Sequence, residues 1–365
     1  MSGGPAPVEV ELVRLQVPLR TALASAHGTE AVRDVILVRA TRADGSTGWG
    51  ECSALARPTY THENTAGAWA VLRDELGPAS LAGTDAGVVG HPMAGAALTT
   101  ALTDAALRAR KRSLTEHLAA RHGAPASSVA VGTVVGRSDR PDVVLDAVAD
   151  AVARGSALVK LKVTPRPTDL DTVAAVRERW VDLALAVDAN GTLDWRSLAI
   201  LDEMGLRYIE QPAPADALLV SAAMAERCAT PIALDESVTS LATLETAMAL
   251  GSAGVLNVKP ARLGGLDVAA DAARAAADAG WGVFVGGMLE TGIGRASALA
   301  VAALPGCSLP TDLGPSSRYF TSDVTEPIEL DDEARLPVPR GPGLGVVPLG
   351  DRLDELAIDR LVLRR

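Results

Sequence analysis

Residues 158–190 read LVKLKVTPRPTDLDTVAAVRERWVDLALAVDAN. The stretch begins and ends with short apolar runs typical of buried strands, Leu158–Val163 and Leu183–Asp188, and Asp169–Trp180 between them has helical periodicity. Strand, helix and strand in this order is typical of two parallel strands joined by a helical crossover. The stretch therefore predicts an α/β protein built on a parallel sheet.

The same alternation continues on both sides of this unit. Runs that qualify as strands occur eight times: Ser128–Val135, Leu158–Val163, Leu183–Asp188, Arg207–Gln211, Pro231–Asp235, Gly254–Lys259, Gly282–Gly286 and Ser308–Asp312. Helical segments lie between most of them: Val143–Arg154, Asp169–Trp180, Trp195–Met204, Leu218–Cys228, Leu241–Leu250 and Gly265–Ala279. Eight strands with helical crossovers predict a (β/α)8-type barrel. A doubly wound sheet is the competing architecture, but the sequence has no G-x-G-x-x-G or Walker A pattern.

The residues before the barrel indicate a separate α+β domain. Its predicted strands and helices are Val8–Val17, Val35–Ala40, Gly48–Glu51, Glu63–Leu76 and Met93–Arg121. After Leu313 the chain is loop-like and then ends in a strand-like stretch. We therefore predict three parts: an N-terminal domain at 1–126, the barrel at 127–325, and a C-terminal segment at 326–365 that returns to the N-terminal domain.

Composition narrows the class of protein. Of the 365 residues 48% are hydrophobic, enough for a large core, and the net charge of −11 argues against nucleic acid or an anionic membrane as a partner. The cysteines Cys52, Cys228 and Cys307 are far apart and odd in number, as expected in a reducing compartment. The first seven residues lack the pattern of a signal peptide, and no apolar run is long enough to span a bilayer. We expect a cytoplasmic protein, and the sequence leaves open whether it forms a homo-oligomer.

Lysine is rare, and its placement predicts chemistry. Only four of the 34 basic residues are lysines, and Lys160, Lys162 and Lys259 lie in predicted strands. An ε-amine can lose its proton when its surroundings lower its pKa, whereas a guanidinium stays charged. Because side chains alternate along a strand, Lys160 and Lys162 share the inner face of the second strand, and Lys259 points inward on the sixth, across the barrel. These lysines are therefore predicted to act as acid and base; chance placement with snorkelling stems is the alternative.

Three consecutive strands end in carboxylates, namely Asp188, Glu210 and Asp235. Catalytic groups collect at the C-terminal ends of the strands in barrels of this kind. Converging carboxylates repel one another unless a cation neutralises them, and hard oxygen ligands suit Mg²⁺, with Mn²⁺ as the alternative. The pattern predicts a metal site; three separate, solvated acids are the alternative.

Amines on both sides of a metal-held substrate favour one reaction, the removal of a proton α to a carboxylate. In this hypothesis a lysine takes the proton, while the metal and a second cation stabilise the developing enediolate. We expect Lys160 to lower the pKa of the neighbouring Lys162 by like-charge repulsion. The predicted partner is a small-molecule carboxylate.

As a set, these motifs resemble the muconate-lactonising-enzyme subgroup of the enolase superfamily. The resemblance covers nearly the whole chain and rests on Lys160-Leu-Lys162, Asp188-Ala-Asn190, Glu210-Gln-Pro212, Asp235-Glu-Ser237 and Lys259-Pro-Ala-Arg-Leu-Gly-Gly265. Within the subgroup, residues 286–295 and 320–327 look most like o-succinylbenzoate synthases and N-succinylamino acid racemases. The resemblance implies that 1–126 is a capping domain, which the C-terminal segment completes.

The resemblance also implies roles for individual residues. It implies Asp188, Glu210 and Asp235 as metal ligands, Lys162 as the base, Lys259 as the opposing lysine and Lys160 as a supporting cation. The expected substrate contacts are Thr133, Asn190, Arg262, Gly287, Met288 and Ser316. The implied activity is the Mg²⁺-dependent syn dehydration of 2-succinyl-6-hydroxy-2,4-cyclohexadiene-1-carboxylate in menaquinone biosynthesis, with racemisation of N-succinylamino acids as the alternative.

Two other functions are less favoured by the sequence. Dipeptide epimerases of the subgroup typically carry Asp-x-Asp after the eighth strand, whereas Asp312-Leu-Gly314 has only the first aspartate. A non-catalytic barrel that serves as a binding protein is disfavoured because the lysines and carboxylates are all present. Arg262 fits racemases as well as synthases, so it does not separate the two.

Overall fold

The computed structural model describes residues 6–25 and 28–365. The first five residues, which the localisation prediction uses, lie outside these ranges. The strands are β1 Glu9–Ser25, β2 Gly28–Thr41, β3 Thr47–Cys52, β4 Ser128–Ala130, β5 Gly132–Val135, β6 Leu158–Lys162, β7 Leu185–Asp188, β8 Ile209–Glu210, β9 Ile232–Leu234, β10 Val255–Val258, β11 Gly282–Val285, β12 Arg335–Pro337 and β13 Ala357–Arg364.

The helices are α1 Thr65–Val71, which continues through the π-helical turn Leu72–Leu76 into α2 Gly77–Ala82, then α3 Pro92–Ala109, α4 Leu114–His122, α5 Pro141–Ala153, α6 Pro167–Arg179, α7 Trp195–Asp202, α8 Leu218–Arg227, α9 Leu241–Leu250, α10 Leu266–Asp278, α11 Gly292–Ala302, α12 Ser316–Tyr319 and α13 Gly350–Leu356. None of the helices in the described ranges combines the length and hydropathy that a membrane crossing requires.

The N-terminal domain is an antiparallel sheet with strand order β13-β1-β2-β3, so strands from both ends of the chain lie side by side. Glu9 pairs with Arg364 at one end of the β1–β13 ladder. Helix α3 packs closely on this sheet, because a Cβ atom at Gly48 or Gly50 would lie 2.0 Å from its backbone. The predicted capping domain with a C-terminal return is confirmed, while the predicted boundaries of the three parts stay a prediction.

The prediction of one continuous helix over Met93–Arg121 is wrong. The chain forms α3 and α4 with a turn between them, in which Lys111 has a left-handed φ of 53°. Ser113 then caps α4, because its side chain accepts from the Glu116 N–H while the Glu116 side chain accepts from the Ser113 N–H. The capping residues determine where the helix is interrupted, although the apolar periodicity continues across the interruption.

The barrel contains a seven-stranded parallel sheet in chain order from β5 to β11. The predicted eighth strand, Ser308–Asp312, is not a regular strand, because Pro310 lacks the N–H that a ladder needs. It nevertheless closes the ring: Leu309 N donates to Val283 O (2.9 Å), and Thr311 N donates to Ala130 O (2.9 Å). The predicted first strand is also corrected, since it is divided into β4, which pairs with β12, and β5, which pairs with β6 in the parallel sheet.

Side chains alternate along the barrel strands as predicted. Val159, Leu161 and Val163 pack outward in an apolar cluster with residues of the surrounding helices. A ring of inward residues fills the lower part of the barrel: Leu158, Ala186, Tyr208, Ala233, Val255 and Phe284. We call this ring the lower layer. The residues two positions further along each strand form the upper layer, at the carboxyl ends of the strands, and this layer carries the candidate site.

Candidate active site

The six charged residues that the sequence singles out lie in the upper layer or two residues beyond it, and they line one cavity. They are Lys160, Lys162, Asp188, Glu210, Asp235 and Lys259, and the cavity has a volume of about 170 Å³. Their convergence follows from the ladder, because Lys162 lies opposite Asp188 on β6 and β7, and Asp188 lies opposite Glu210 on β7 and β8. The strand pattern of the sequence is sufficient to bring these residues together.

Lys162 has the most open position of the three site lysines. Its Nζ donates to Asp188 Oδ2 (2.7 Å) and to Asn190 Oδ1 (2.9 Å), and about a fifth of its side chain (21%) is exposed. Asn190 itself donates to Glu236 Oε1 (2.9 Å), which fixes its amide. The predicted residue Asn190 thus lies at the site and contacts the predicted base.

Lys160 is buried and held as a fixed cation. Its Nζ forms ion pairs with Glu210 and Asp312 and lies 4.9 Å from the ring centre of Phe284. Burial would lower the pKa of Lys160, but the charges of Asp312 and Glu210 outweigh burial and hold that pKa well above its usual value. Lys160 therefore supplies stationary positive charge to the site.

Lys259 approaches from the other side of the barrel. Strand β10 is four positions from β6 in the ring. The Nζ of Lys259 donates to Asp235 Oδ2 (2.8 Å) and to the hydroxyl of Tyr60 (2.9 Å), which comes from the capping domain. Burial opposes the charged form, but the Asp235 carboxylate outweighs it and raises the pKa of Lys259. The predicted two-sided arrangement of amines is present in the structure.

The three carboxylates have different electrostatic surroundings. Burial raises the pKa of Glu210 to about 8, because Lys160 only partly offsets burial, and Asp188 and Asp235 add like charge. For Asp235, burial raises the pKa, but Arg262 and Lys259 outweigh it and hold the pKa below its usual range. Positive charge in the site is thus concentrated around Asp235, and the charge of Lys160 offsets only part of the effect of burial on Glu210.

The donor set fits a hard divalent cation. Asp188, Glu210 and Asp235 contribute carboxylate oxygens from adjacent strands to one cavity, and burial together with the charges of the neighbouring acids raises the pKa of Glu210 there. In this arrangement each carboxylate forms an ion pair with a lysine. Within residues 6–25 and 28–365, no group of three or more His, Cys, Asp or Glu side chains is arranged around a metal position. To bind one cation together, the acids must exchange some of these partners.

The structure places three expected substrate contacts away from the cavity. Thr133 faces outward and bonds to the hydroxyl of Ser156, because alternation along β5 turns Val134 toward the cavity instead. Met288 packs into the apolar core shared with the capping domain. The Ser316 hydroxyl donates to Asp323 Oδ2 (2.6 Å) and is buried.

Of the other two expected contacts, Gly287 lines the cavity and Arg262 does not. Arg262 is 1% exposed, pairs with Asp235 and donates to the carbonyl oxygen of Asn257 (3.0 Å). Its guanidinium therefore anchors a predicted metal ligand from behind. Its contact with substrate stays a prediction.

Two capping-domain residues that the sequence did not reveal hold the cavity-lining segment 286–291. Glu51 Oε1 accepts from the Thr291 N–H (3.0 Å), and Glu51 Oε2 accepts from the Gly294 N–H (2.9 Å) at the start of α11. Burial raises the pKa of Glu51 to about 7. On the same segment, Arg33 donates to the carbonyl oxygen of Met288 (3.2 Å). The capping domain thus fixes one wall of the site.

Three further site residues went unrecognised. Asp312 lines the cavity and pairs with Lys160, and Asn257 donates to Glu210 Oε1 (2.7 Å). Both follow the rule that revealed the others, since Asp312 ends the eighth barrel segment and Asn257 lies two residues before Lys259. Tyr60 had no such signal, because it reaches the site from a loop of another domain.

The comparisons with known proteins agree with this geometry. Residues 143–352 match the family described as enolase C-terminal domain-like. The chain is 42% identical to an N-succinylamino acid racemase of Amycolatopsis sp., over 95% of this chain and 96% of that protein. It is 34% identical to an o-succinylbenzoate synthase of Geobacillus kaustophilus, over 92% of each.

A solved structure gives the same result for the fold. A member of the enolase superfamily from Listeria innocua superposes with a TM-score of 0.92 at 30% identity, covering 98% of this chain and 99% of that one. The resemblance predicted from the motifs is confirmed. The chain belongs to the enolase superfamily.

Proposed function

We propose that this enolase superfamily member is an o-succinylbenzoate synthase, and that the same site racemises N-succinylamino acids. One observation carries the proposal: Lys162 and Lys259 line a single cavity from opposite strands, with Asp188, Glu210 and Asp235 between them. Relatives with both names, at 34% and 42% identity, support the two chemistries.

In the dehydration, the chain's own groups account for the movement of the proton. The amine of Lys162 takes the proton from the ring carbon that bears the carboxylate. The electron pair of that C–H bond forms a ring double bond, the hydroxyl on the adjacent carbon departs on the same face, and the lysine returns the proton to it as water. Lys160 and Lys259 stay cationic and stabilise the negative charge that develops on the substrate carboxylate.

The proposal includes Mg²⁺, with Mn²⁺ as the alternative. Asp188, Glu210 and Asp235 would hold the ion, which would neutralise negative charge on the substrate carboxylate when bound. Lys162 and Lys259 would then face the substrate instead of the acids they pair with in this structure. The proposal also places the protein in the cytoplasm, in menaquinone biosynthesis, without a nucleic-acid or membrane partner.

In racemisation both amines must transfer protons. Lys162 would remove the α-proton from one face, and Lys259 would deliver a proton to the other; the reverse direction exchanges the roles. Both amines line the same cavity from opposite strands, which is the specific observation in favour of this second activity. A dipeptide epimerase lacks comparable support, because Gly314 stands where the second aspartate of that group's motif would be.

The test is to assay the purified protein on both substrates, with Mg²⁺ and with EDTA, beside Lys259→Arg. We expect the wild type to dehydrate the cyclohexadiene and to racemise N-succinylamino acids only when Mg²⁺ is present. Lys259→Arg keeps a charge opposite Lys162 but loses an amine that can release its proton. The variant should lose racemisation and α-proton exchange from that face, and it should keep a small fraction of the dehydration activity.

Two results would contradict the proposal. Turnover of neither substrate by the folded wild type would exclude both activities. If Lys259→Arg exchanged the α-proton of both enantiomers in deuterated water at wild-type rates, Lys259 would not be the second acid–base group. Lys111→Arg, at an exposed turn, is the matched control and should leave every rate unchanged.

A further inference from the structure

Among the residues that the structure describes, one cation that lines the active-site cavity has no acidic partner. The basic residues that line it are Lys160, Lys162, Lys259, Arg295 and Arg318. The first three pair with upper-layer or neighbouring carboxylates, and Arg295 lies 3.9 Å from Asp323. Among the described residues, Arg318 forms no ion pair and makes a single hydrogen bond, which it donates to the carbonyl oxygen of Val134. A guanidinium has five N–H donors, so most of its capacity is available to a ligand.

The position of Arg318 is nevertheless fixed. Its guanidinium lies 5.8 Å from the ring centre of Tyr319, and the bond to Val134 ties it to β5. Gly314 leaves room for it, because a Cβ atom there would lie 2.8 Å from Arg318 Cδ. The side chain is half-buried. A positioned, partly desolvated guanidinium binds an anion more strongly than a mobile surface arginine does, because less side-chain entropy is lost on binding.

The cavity also extends past Arg318. Val134, Gly136 and Arg318 line both the active-site cavity and an adjoining groove of about 460 Å³ outside β5. Arg20, from the capping domain, lines the groove as well. A substrate whose reacting end lies at Lys162 therefore has space for a substituent that passes Arg318.

We infer that Arg318 binds the distal carboxylate of the substrate and so determines its specificity. This inference rests on the proposed function, in which both substrates carry a succinyl group whose free carboxylate is remote from the reacting carbon. A guanidinium can bind that carboxylate through two parallel hydrogen bonds. The lysines and the upper-layer acids act on the reacting carboxylate, whereas Arg318 selects the substituent.

A binding experiment separates this inference from catalysis. N-succinylglycine and N-butanoylglycine differ in the terminal group, a carboxylate in the first and a methyl in the second. Neither is chiral, so proton exchange changes neither of them. We expect the wild type, titrated calorimetrically with Mg²⁺ present, to prefer N-succinylglycine. In Arg318→Met that preference should fall on the order of 10- to 100-fold, as expected when a hydrogen bond to a charged group is lost. Affinity for N-butanoylglycine should change less than threefold.

Matched variants decide the interpretation. Arg318→Lys keeps the charge but not the fork, so it should recover part of the preference. Arg154→Met removes another groove arginine, which does not line the active-site cavity, and should leave the preference unchanged. Equal loss of affinity for both ligands, or no loss, in folded Arg318→Met would overturn the inference. If the preference depends on Arg318 but turnover assays fail, the inference stands and the proposed function falls.

Discussion

The two inward layers of the barrel lie on the same strands, two residues apart, but one packs the core and the other carries the candidate site. The lower layer is Leu158, Ala186, Tyr208, Ala233, Val255 and Phe284, and the upper layer at the same positions plus two is Lys160, Asp188, Glu210, Asp235, Asn257 and Gly286. A step of two residues moves a side chain about 7 Å along a strand without changing its face. The lower layer is packed and largely apolar, and the upper layer is buried and largely charged. Position along the strand, more than burial, separates packing from chemistry.

The largest effect is expected at Lys162, which follows the upper-layer residue Lys160 on the same face of β6. Lys162→Ala removes the proposed base, and loss of a positioned general base typically costs about 10²- to 10⁴-fold in rate. We expect both activities to fall by at least about 10³-fold, while the urea midpoint changes little because Lys162 is partly exposed. Lys111→Ala, in the exposed turn before α4, is the control. Residual turnover within tenfold of wild type would remove Lys162 from the mechanism.

The lower layer should respond in the opposite way. Phe284 is fully buried and stacks on Tyr208 with ring centres 5.2 Å apart. Phe284→Ala should lower the free energy of unfolding by about 3–5 kcal/mol, the usual cost of removing a buried phenyl ring. Because Lys160 lies over the same ring, some activity should be lost, but much less than in Lys162→Ala.

Urea unfolding monitored by circular dichroism measures this difference in stability. Val347→Ala, at a half-exposed position, is a suitable control and should change stability by less than about 0.5 kcal/mol. If Phe284→Ala is as stable as wild type but inactive, the division of labour between the layers is wrong.

A smaller effect tests whether a buried acid outside the upper layer also changes the free energy of unfolding. Burial raises the pKa of Glu51 from 4.5 to about 7, outside the barrel layers. The folded state therefore binds this proton more tightly than the unfolded state does, so the contribution of Glu51 to stability is fully present below pH 4.5 and is lost as the pH rises through about 7. The shift corresponds to at most about 3 kcal/mol.

Glu51→Gln should flatten this decline. We expect the free energy of unfolding of wild type, relative to the variant, to fall between pH 4.5 and 7.5. Thermal unfolding at several pH values gives the slope, and Glu75→Gln, an exposed change, should keep the wild-type slope. Parallel slopes in wild type and Glu51→Gln would show that Glu51 does not titrate in this range.

The sequence predicted what strand periodicity and strand ends control. Lys160, Lys162, Asp188, Glu210, Asp235 and Lys259 could be placed from alternation alone, because every one of them lies on a barrel strand or at its end. The residues that defeated prediction depend on tertiary contacts. Tyr60 and Glu51 belong to the capping domain, and no local pattern shows which barrel loop they meet.

The outward orientation of Thr133 could not be predicted for a different reason. The predicted strand Ser128–Val135 was treated as one strand, whereas β4 and β5 pair with different partners. The apolar pattern of this stretch therefore did not predict which side chains point into the barrel, since Val131, Thr133 and Val135 are all compatible with either face. Lys111 was misplaced because periodicity extends across a helix break that one serine cap determines.

The pairing of β1 with β13 delays completion of the capping sheet until the end of synthesis. The ribosome adds roughly 5 to 20 residues per second, so about 20 to 70 s separate the synthesis of β1 from that of β13. The barrel strands are synthesised during that interval. Strand β1 can already pair with β2 along one edge, but its other edge stays unpaired until β13 is made. An unpaired edge invites association with other nascent chains. The capping sheet is therefore the last part to be completed, and the wall of the cavity that the capping domain holds has its complete supporting sheet only after the barrel strands have been synthesised.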